Sequence, residues 1–433
     1  MRNNKFNLGL LVSAITLSLS GGVTASEVVS GATSDEFKQD LRLRLRNELR
    51  MADRPSACGS EPDAQDCKYG NVEAWVQGAM VDYETSNFSK WFDVEAYSYS
   101  IHKLMDVGDN ATSRAYLDAN DESFSFLGGS VNLKPIDGLE IKLGRWGTDY
   151  AYGSMDHIVP LLEYSSVRTM PSMKEGGLVH YEATDTLDFY GAVTTKTAGG
   201  FDTAWKDDAI NGKHTPRYHA GVVFDAPMYA ASFGARYQED DAYQLQTNFD
   251  YAFITDNEFF VKFDGRIFYG QTIGYTKENQ LNNVENTYVA STQITVAKGK
   301  AFGVASFGQV GDKLTGSSID TDIVFPFDMS IARNGHNTTS WQVGGGYNFN
   351  ENWSSGLFLV KTDGDLDSYE ETVVDGIGAN LTISHKFTSG QLKGLKSSLV
   401  LNKAEEDQFG EKEGKLDYYD IKFAAQYDFN FFQ

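Results

Sequence analysis

The chemistry most legible in this chain lies near its start. There Arg42, Arg44, Arg46 and Arg50 share one parity with Glu48, while Leu41, Leu43, Leu45, Leu49 and Met51 share the other. A guanidinium keeps its charge at any physiological pH and presents planar, forked donors that match a carboxylate or a phosphate. A row of them can hold an anion and hand it on; it cannot by itself break a bond. The same sorting sets Lys262, Asp264 and Arg266 against Phe259, Val261, Phe263 and Ile267. It sets Gln244, Gln246, Asn248 and Asp250 against Leu245, Phe249 and Tyr251.

Covalent chemistry finds no comparable support. The seven histidines fall in no HExxH or Gly-x-Ser-x-Gly setting, and Asp156-His157 is a lone adjacent pair that would suit a base with its orienting acid. No phosphate-binding glycine loop or metal-ligand cluster stands out, so no catalytic residue, cofactor or metal is assigned. Cys58 and Cys67 are the two cysteines, and in an oxidising compartment they are expected to form a disulfide. In the chain-entropy model so short a loop contributes roughly 2.5 to 3 kcal/mol.

Only an extended strand sends alternate residues to opposite sides. An arginine facing lipid at mid-bilayer costs roughly 2 to 4 kcal/mol, so several would rival the whole net stability of a fold. The arginines are therefore expected to face a polar lumen and the leucines lipid. The last stretch repeats the division, with Ile421, Phe423, Ala425, Tyr427, Phe429 and Phe431 against Lys422, Gln426, Asp428 and Asn430. So aromatic a terminal strand suits an outer-membrane barrel.

About eighteen such segments are expected, beginning near Asp40, Asn71, Trp91, Ser123, Leu139, Gly177, Leu187, Arg217 and Met228, then near Ala242, Glu258, Asn286, Ala301, Thr339, Asn352, Gly376, Leu395 and Asp417. Every second connection is tight, as at Pro135 to Gly138, Asp185-Thr186 and Lys298 to Lys300, and those between are mostly long. The exception is the link near Gln238, short where a long loop is due, which leaves sixteen strands as the alternative. The fold class is all-β: a closed transmembrane antiparallel barrel over residues 26–433.

The opening residues point to export. Arg2 and Lys5 precede an apolar run from Leu8 to Leu19 and a small-residue site at Val23-Thr24-Ala25, so residues 1–25 are expected to be a signal peptide. The Gram-negative outer membrane is the implied destination. Aromatics make up 13% of the 433 residues, with 42 glycines and only 8 prolines, a profile of many short strands and turns. A formal charge of -23 argues against a nucleic-acid partner, which would need clustered Lys and Arg. Acids crowd two predicted loops, one with Asp363, Asp365, Asp367, Glu370, Glu371 and Asp375, the other with Glu405, Glu406, Asp407, Glu411 and Glu413. They form a solvated surface or bind lipopolysaccharide phosphates through divalent cations; outer-membrane lipid and small polar solutes are the expected partners, with the chain a monomer or a trimer.

Leu45 to Arg50, Glu73-Ala74-Trp75-Val76-Gln77-Gly78, Lys142-Leu143-Gly144 and Arg168-Thr169-Met170-Pro171, in that order, resemble the OprD-type family of substrate-specific outer-membrane porins, chitoporin-like members included. The resemblance implies an eighteen-stranded barrel whose third external loop, about residues 146–176, folds inward to narrow the pore. It also implies a basic ladder, here Arg42, Arg44, Arg46, Arg50, Lys142, Arg168, Lys262 and Arg266, that passes carboxylate-bearing nutrients such as amino acids or organic acids. A chito-oligosaccharide or general diffusion pore is the alternative, with a barrel enzyme behind it. Because the arginine row exceeds its local acids, part of it is expected to stand unpaired and to favour anionic solutes.

Overall fold

The computed structural model describes residues 37–53, 72–86, 88, 91–106, 123–147, 160–162, 173–198, 204–279, 286–311, 324–328, 331, 336–367, 370–409 and 414–431. The signal segment, Cys58, Cys67, Asp156, His157 and Arg168 lie outside them.

The first seven strands are β1 (Lys38–Asp53), β2 (Val72–Ser86), β3 (Phe92–Asp106), β4 (Ser123–Ile136), β5 (Leu139–Gly147), β6 (Met173–Thr184) and β7 (Leu187–Ala198). Three two-residue strands follow, β8 (Lys206–Asp207), β9 (Ala209–Ile210) and β10 (Lys213–His214). The wall resumes with β11 (Arg217–Ala226), β12 (Tyr229–Gln238), β13 (Ala242–Ile254), β14 (Phe260–Thr272), β15 (Asn286–Lys298) and β16 (Ala301–Val310). It ends with β17 (His336–Asn348), β18 (Trp353–Asp367), β19 (Glu370–Lys386), β20 (Lys396–Phe409) and β21 (Gly414–Asn430). One short helix, α1 (Gly274–Glu278), interrupts them, and among the described residues no helix is long and apolar enough to cross a membrane.

Eighteen strands form the wall, each antiparallel to its sequence neighbour, with β7 pairing directly to β11 past the three short ribbons. The ring closes between β1 and β21, in a register that sets Arg44 against Asp428 and Leu45 against Tyr427. Closure removes the edge strands that would otherwise expose unpaired backbone groups, a necessity in hydrocarbon. All eighteen expected segments correspond to wall strands. The short link at Gln238 is real: three residues join β12 to β13, where α1 packs against them through Thr276 N–H to Asp240 O at 2.9 Å. α1 belongs to the β14–β15 connection, and the count of eighteen holds.

Turn chemistry fits the tight end. Gly138 and Gly299 take φ of +75° and +59° in two of the short hairpins, a region where a Cβ is costly. Around the outside, exposed Trp341, Val343, Ile267, Phe263, Phe249 and Leu245 form an apolar surface, with Tyr229, Tyr347, Phe349 and Trp353 near the short-turn end. This is the band and aromatic girdle of a membrane barrel. The alternate face of the same strands is polar and mostly covered: Gln244, Gln246, Gln342, Asn380 and Asn402 are buried there.

One expectation needs correcting. Asp363, Asp365, Asp367, Glu370, Glu371, Asp375, Glu405, Glu406 and Asp407 are not loop residues; β18, β19 and β20 continue through them, pairing Asp363 with Asp375 and Asp375 with Asp407. Alternation persists through these segments as Gly376, Gly378 and Val360, and backbone pairing continues wherever a neighbouring strand is equally long. Glu411 and Glu413 lie outside the described residues.

Candidate functional site on the inner wall

On the inner face of β1, Arg42 to Arg50 covers about 27 Å of extended chain, close to the height of the apolar band outside. The arginines are not an unpaired row. Arg42 meets Asp40 at 3.1 Å and Glu84 at 2.9 Å, and Arg44 donates from Nε to Asp428 at 2.8 Å. Arg46 holds Glu48 at 2.6 Å, and Arg50 grips both oxygens of Asp420. Barrel closure delivers inward acids from far along the chain: Asp428 is 384 positions from Arg44 in the chain and beside it in the wall. Lysines add to the same side, Lys396 lying 3.5 Å from Asp428 and Lys422 lying 3.7 Å from Glu48.

The ladder is graded in access. The Arg42 and Arg44 side chains are 34% and 24% exposed, whereas Arg46 is 5% exposed and Glu48 fully covered. The more exposed pairs carry their positive charge nearer the lumen, while the covered one fixes the wall. Lys142 belongs to this side too, bonded to Glu95 at 2.9 Å, which also accepts from Ser130.

Lys262 and Arg266 stand apart from that group. They sit on β14, the eleventh wall strand and so nearly opposite β1. Lys262 pairs with Asp264 at 2.8 Å, and the Arg266 guanidinium stacks over the Phe325 ring at 4.4 Å. Phe325 belongs to a stretch of the β16–β17 connection that lies along the inner wall. Its N–H donates to Ser291 Oγ at 2.9 Å, and Phe327 O accepts from Asn380 Nδ2 at 3.2 Å. Asp328 accepts from Asn380 at 3.0 Å, from Asn402 at 2.9 Å and from the Ile331 N–H at 3.1 Å.

A second connection reaches the same place. The Tyr190 hydroxyl donates to Pro160 O at 3.1 Å, Leu162 packs with Trp146, Leu178, Tyr190, Ala192 and Val223, and Leu161 joins Phe268, Val289, Val310 and Val324. Leu161 and Val324 therefore share one apolar cluster, linking segments from both connections across the inner wall. The apolar run Val324 to Phe327 inside a long connection was a usable signal that the alternation search passed over.

Sequence reasoning also missed a second basic group. Lys174 on β6, Arg217 and His219 on β11 and Arg236 on β12 are buried on the inner face, with Asp208 reaching Arg217 at 3.3 Å. Their signal was the one used at β1, Arg217 and His219 alternating with Tyr218 and Ala220.

No family model matches the chain. Over 422 residues, 94% of this chain and 97% of the other, it is 32% identical to membrane-associated protein UidC of Escherichia coli. The chain belongs to the UidC family and has the OprD-type porin fold. The crystal structure of Pseudomonas aeruginosa OpdK with vanillate aligns with a TM-score of 0.71 at 15% identity, over 91% of this chain and 99% of that one. That of Pseudomonas aeruginosa OpdF in complex with glucuronate aligns at 0.71 and 13%, over 90% and 98%. The UidC-family chain thus shares its barrel fold with outer-membrane porins.

Proposed function

We propose that this chain is an outer-membrane porin, a channel that passes small carboxylate-bearing solutes, amino acids, organic acids and sugar acids among them, along its basic inner wall. The observation that carries the reading is the ladder from Arg42 to Arg50, which runs the height of the wall with Arg42 and Arg44 the more open to the lumen. A carboxylate moving past it exchanges one forked partner for the next, which lowers the cost of leaving bulk water without trapping the solute. Vanillate and glucuronate, the ligands of the two solved relatives in fold, are both carboxylates. In this reading the β5–β6 connection, of which Pro160 to Leu162 lie against the wall, narrows the passage; a contribution from Arg168, which lies outside the described residues, is part of the same proposal.

The test is liposome swelling with matched panels. Glucuronate, vanillate and dicarboxylates should enter faster than neutral solutes of equal size, and Arg44→Glu should remove most of that preference. Equal rates for charged and neutral solutes would overturn it.

A second reading rests on the amide side chains of β13, β17, β19 and β20. Gln244, Gln246, Gln342, Asn380 and Asn402 make the inner face at those positions polar but uncharged, as a chito-oligosaccharide or general diffusion pore requires. Chitobiose entering faster than glucuronate would favour it.

A further inference from the structure

We propose that His180, Glu182 and Asp188 form a binding site for a divalent transition-metal ion of the zinc class, on the inner wall at the short-turn end of the barrel. The three come from one hairpin. His180 and Glu182 are two apart on β6, and Asp188 stands opposite Glu182 on β7. They share the inner face with buried Leu178 and Tyr190, while Val179, Tyr181 and Phe189 between them are exposed on the outer face. One ligand atom from each lies within 4.8 Å of the other two.

The geometry is close to what zinc requires. Bonds of about 2.0 to 2.2 Å in tetrahedral directions put neighbouring ligand atoms about 3.4 Å apart. His180 Nε2 and Asp188 Oδ1 are 3.3 Å apart. Glu182 brings a carboxylate oxygen within 4.8 Å of both, and a fourth position is left to water. A neutral imidazole and two carboxylates carry two negative charges, which a divalent ion cancels. One nitrogen and two carboxylates fall short of the six or more oxygens that calcium takes, so the set discriminates by ligand type.

The frame is stiff where it must be. Glu182 N–H donates to Gly138 O at 2.8 Å, and Asp225 N–H donates to Thr186 O at 2.9 Å, tying the hairpin to the strands on both sides. Glu140 on β5 stands in register with His180 and adds another carboxylate to the same face. The three ligands match no set metal motif in the sequence; the turn at residues 185–186 folds Asp188 back beside His180 and Glu182.

Tag-free protein, stripped with chelator and kept in detergent, is titrated calorimetrically with zinc chloride. One zinc per chain is expected, with calcium chloride giving no comparable heat. His180→Ala and Asp188→Asn should each weaken zinc by about tenfold or more, since loss even of an outer-shell partner costs about ten- to a hundredfold. His214→Ala, an exposed histidine elsewhere, should leave binding unchanged. Heat-modifiable gel mobility verifies that each variant keeps its barrel. Absence of zinc binding by the parent chain, or binding unaltered in folded His180→Ala, overturns the proposal.

Discussion

Arg44 shows how a single residue serves both wall and solute. Its Nε bonds Asp428 at 2.8 Å, and Lys396 lies 3.5 Å from the same carboxylate, so two cations share one acid. Asp428→Asn should then raise anion preference, while Arg44→Glu should lower it. Reversal of one charge about 8 Å from a permeant ion in water is worth about 1 kcal/mol, so the permeability ratio should fall about fivefold. Reversal potentials under a salt gradient measure both changes, and a shift in the same direction for the two variants would contradict this role. The ladder's alternation was legible at once because lipid on one side tolerates no guanidinium. Its pairing was only partly legible, since Asp428 and Asp420 come from β21 and meet Arg44 and Arg50 only when the ring closes.

At the scale of elements, the stretch from Val324 to Asp328 is the part least visible in the chain. A strand announces itself by period two, but a connection laid on the inner wall has no period, and its anchors, Ser291, Gln342, Asn380 and Asn402, are scattered over four strands. Asp328→Ala removes three hydrogen bonds at once and should loosen this segment at a cost of about 1 to 3 kcal/mol. Single-channel records should show added current noise and a larger mean conductance; an unchanged record would mean that the segment does not border the path. The acid-bearing strands β18, β19 and β20 raise a separate proposal, that divalent cations bridge them to lipopolysaccharide phosphates. Chelator should then lower the melting temperature of the protein in outer-membrane vesicles and leave it unchanged in detergent, and equal melting in vesicles with and without chelator would sink the idea.

For the whole molecule, two solvents decide the architecture. The wall strands divide their residues between lipid and lumen, and the eighteen starts were readable because that division recurs from β1 to β21. The long connections carry no such constraint, so their inner contacts could not be read. Ile267, exposed on the outer face of β14 beside inward Arg266, tests the division directly. Ile267→Arg should cost about 2 to 4 kcal/mol in urea unfolding from lipid vesicles, against little effect from Ile267→Leu. The account as a whole rests on a conducting passage lined by the basic ladder. The ion selectivity of the purified protein in planar bilayers under a potassium chloride gradient tests it most directly: the reversal potential should have the sign of chloride preference and move toward zero in Arg44→Glu, whereas a closed barrel, or a cation-selective one indifferent to that substitution, would contradict it.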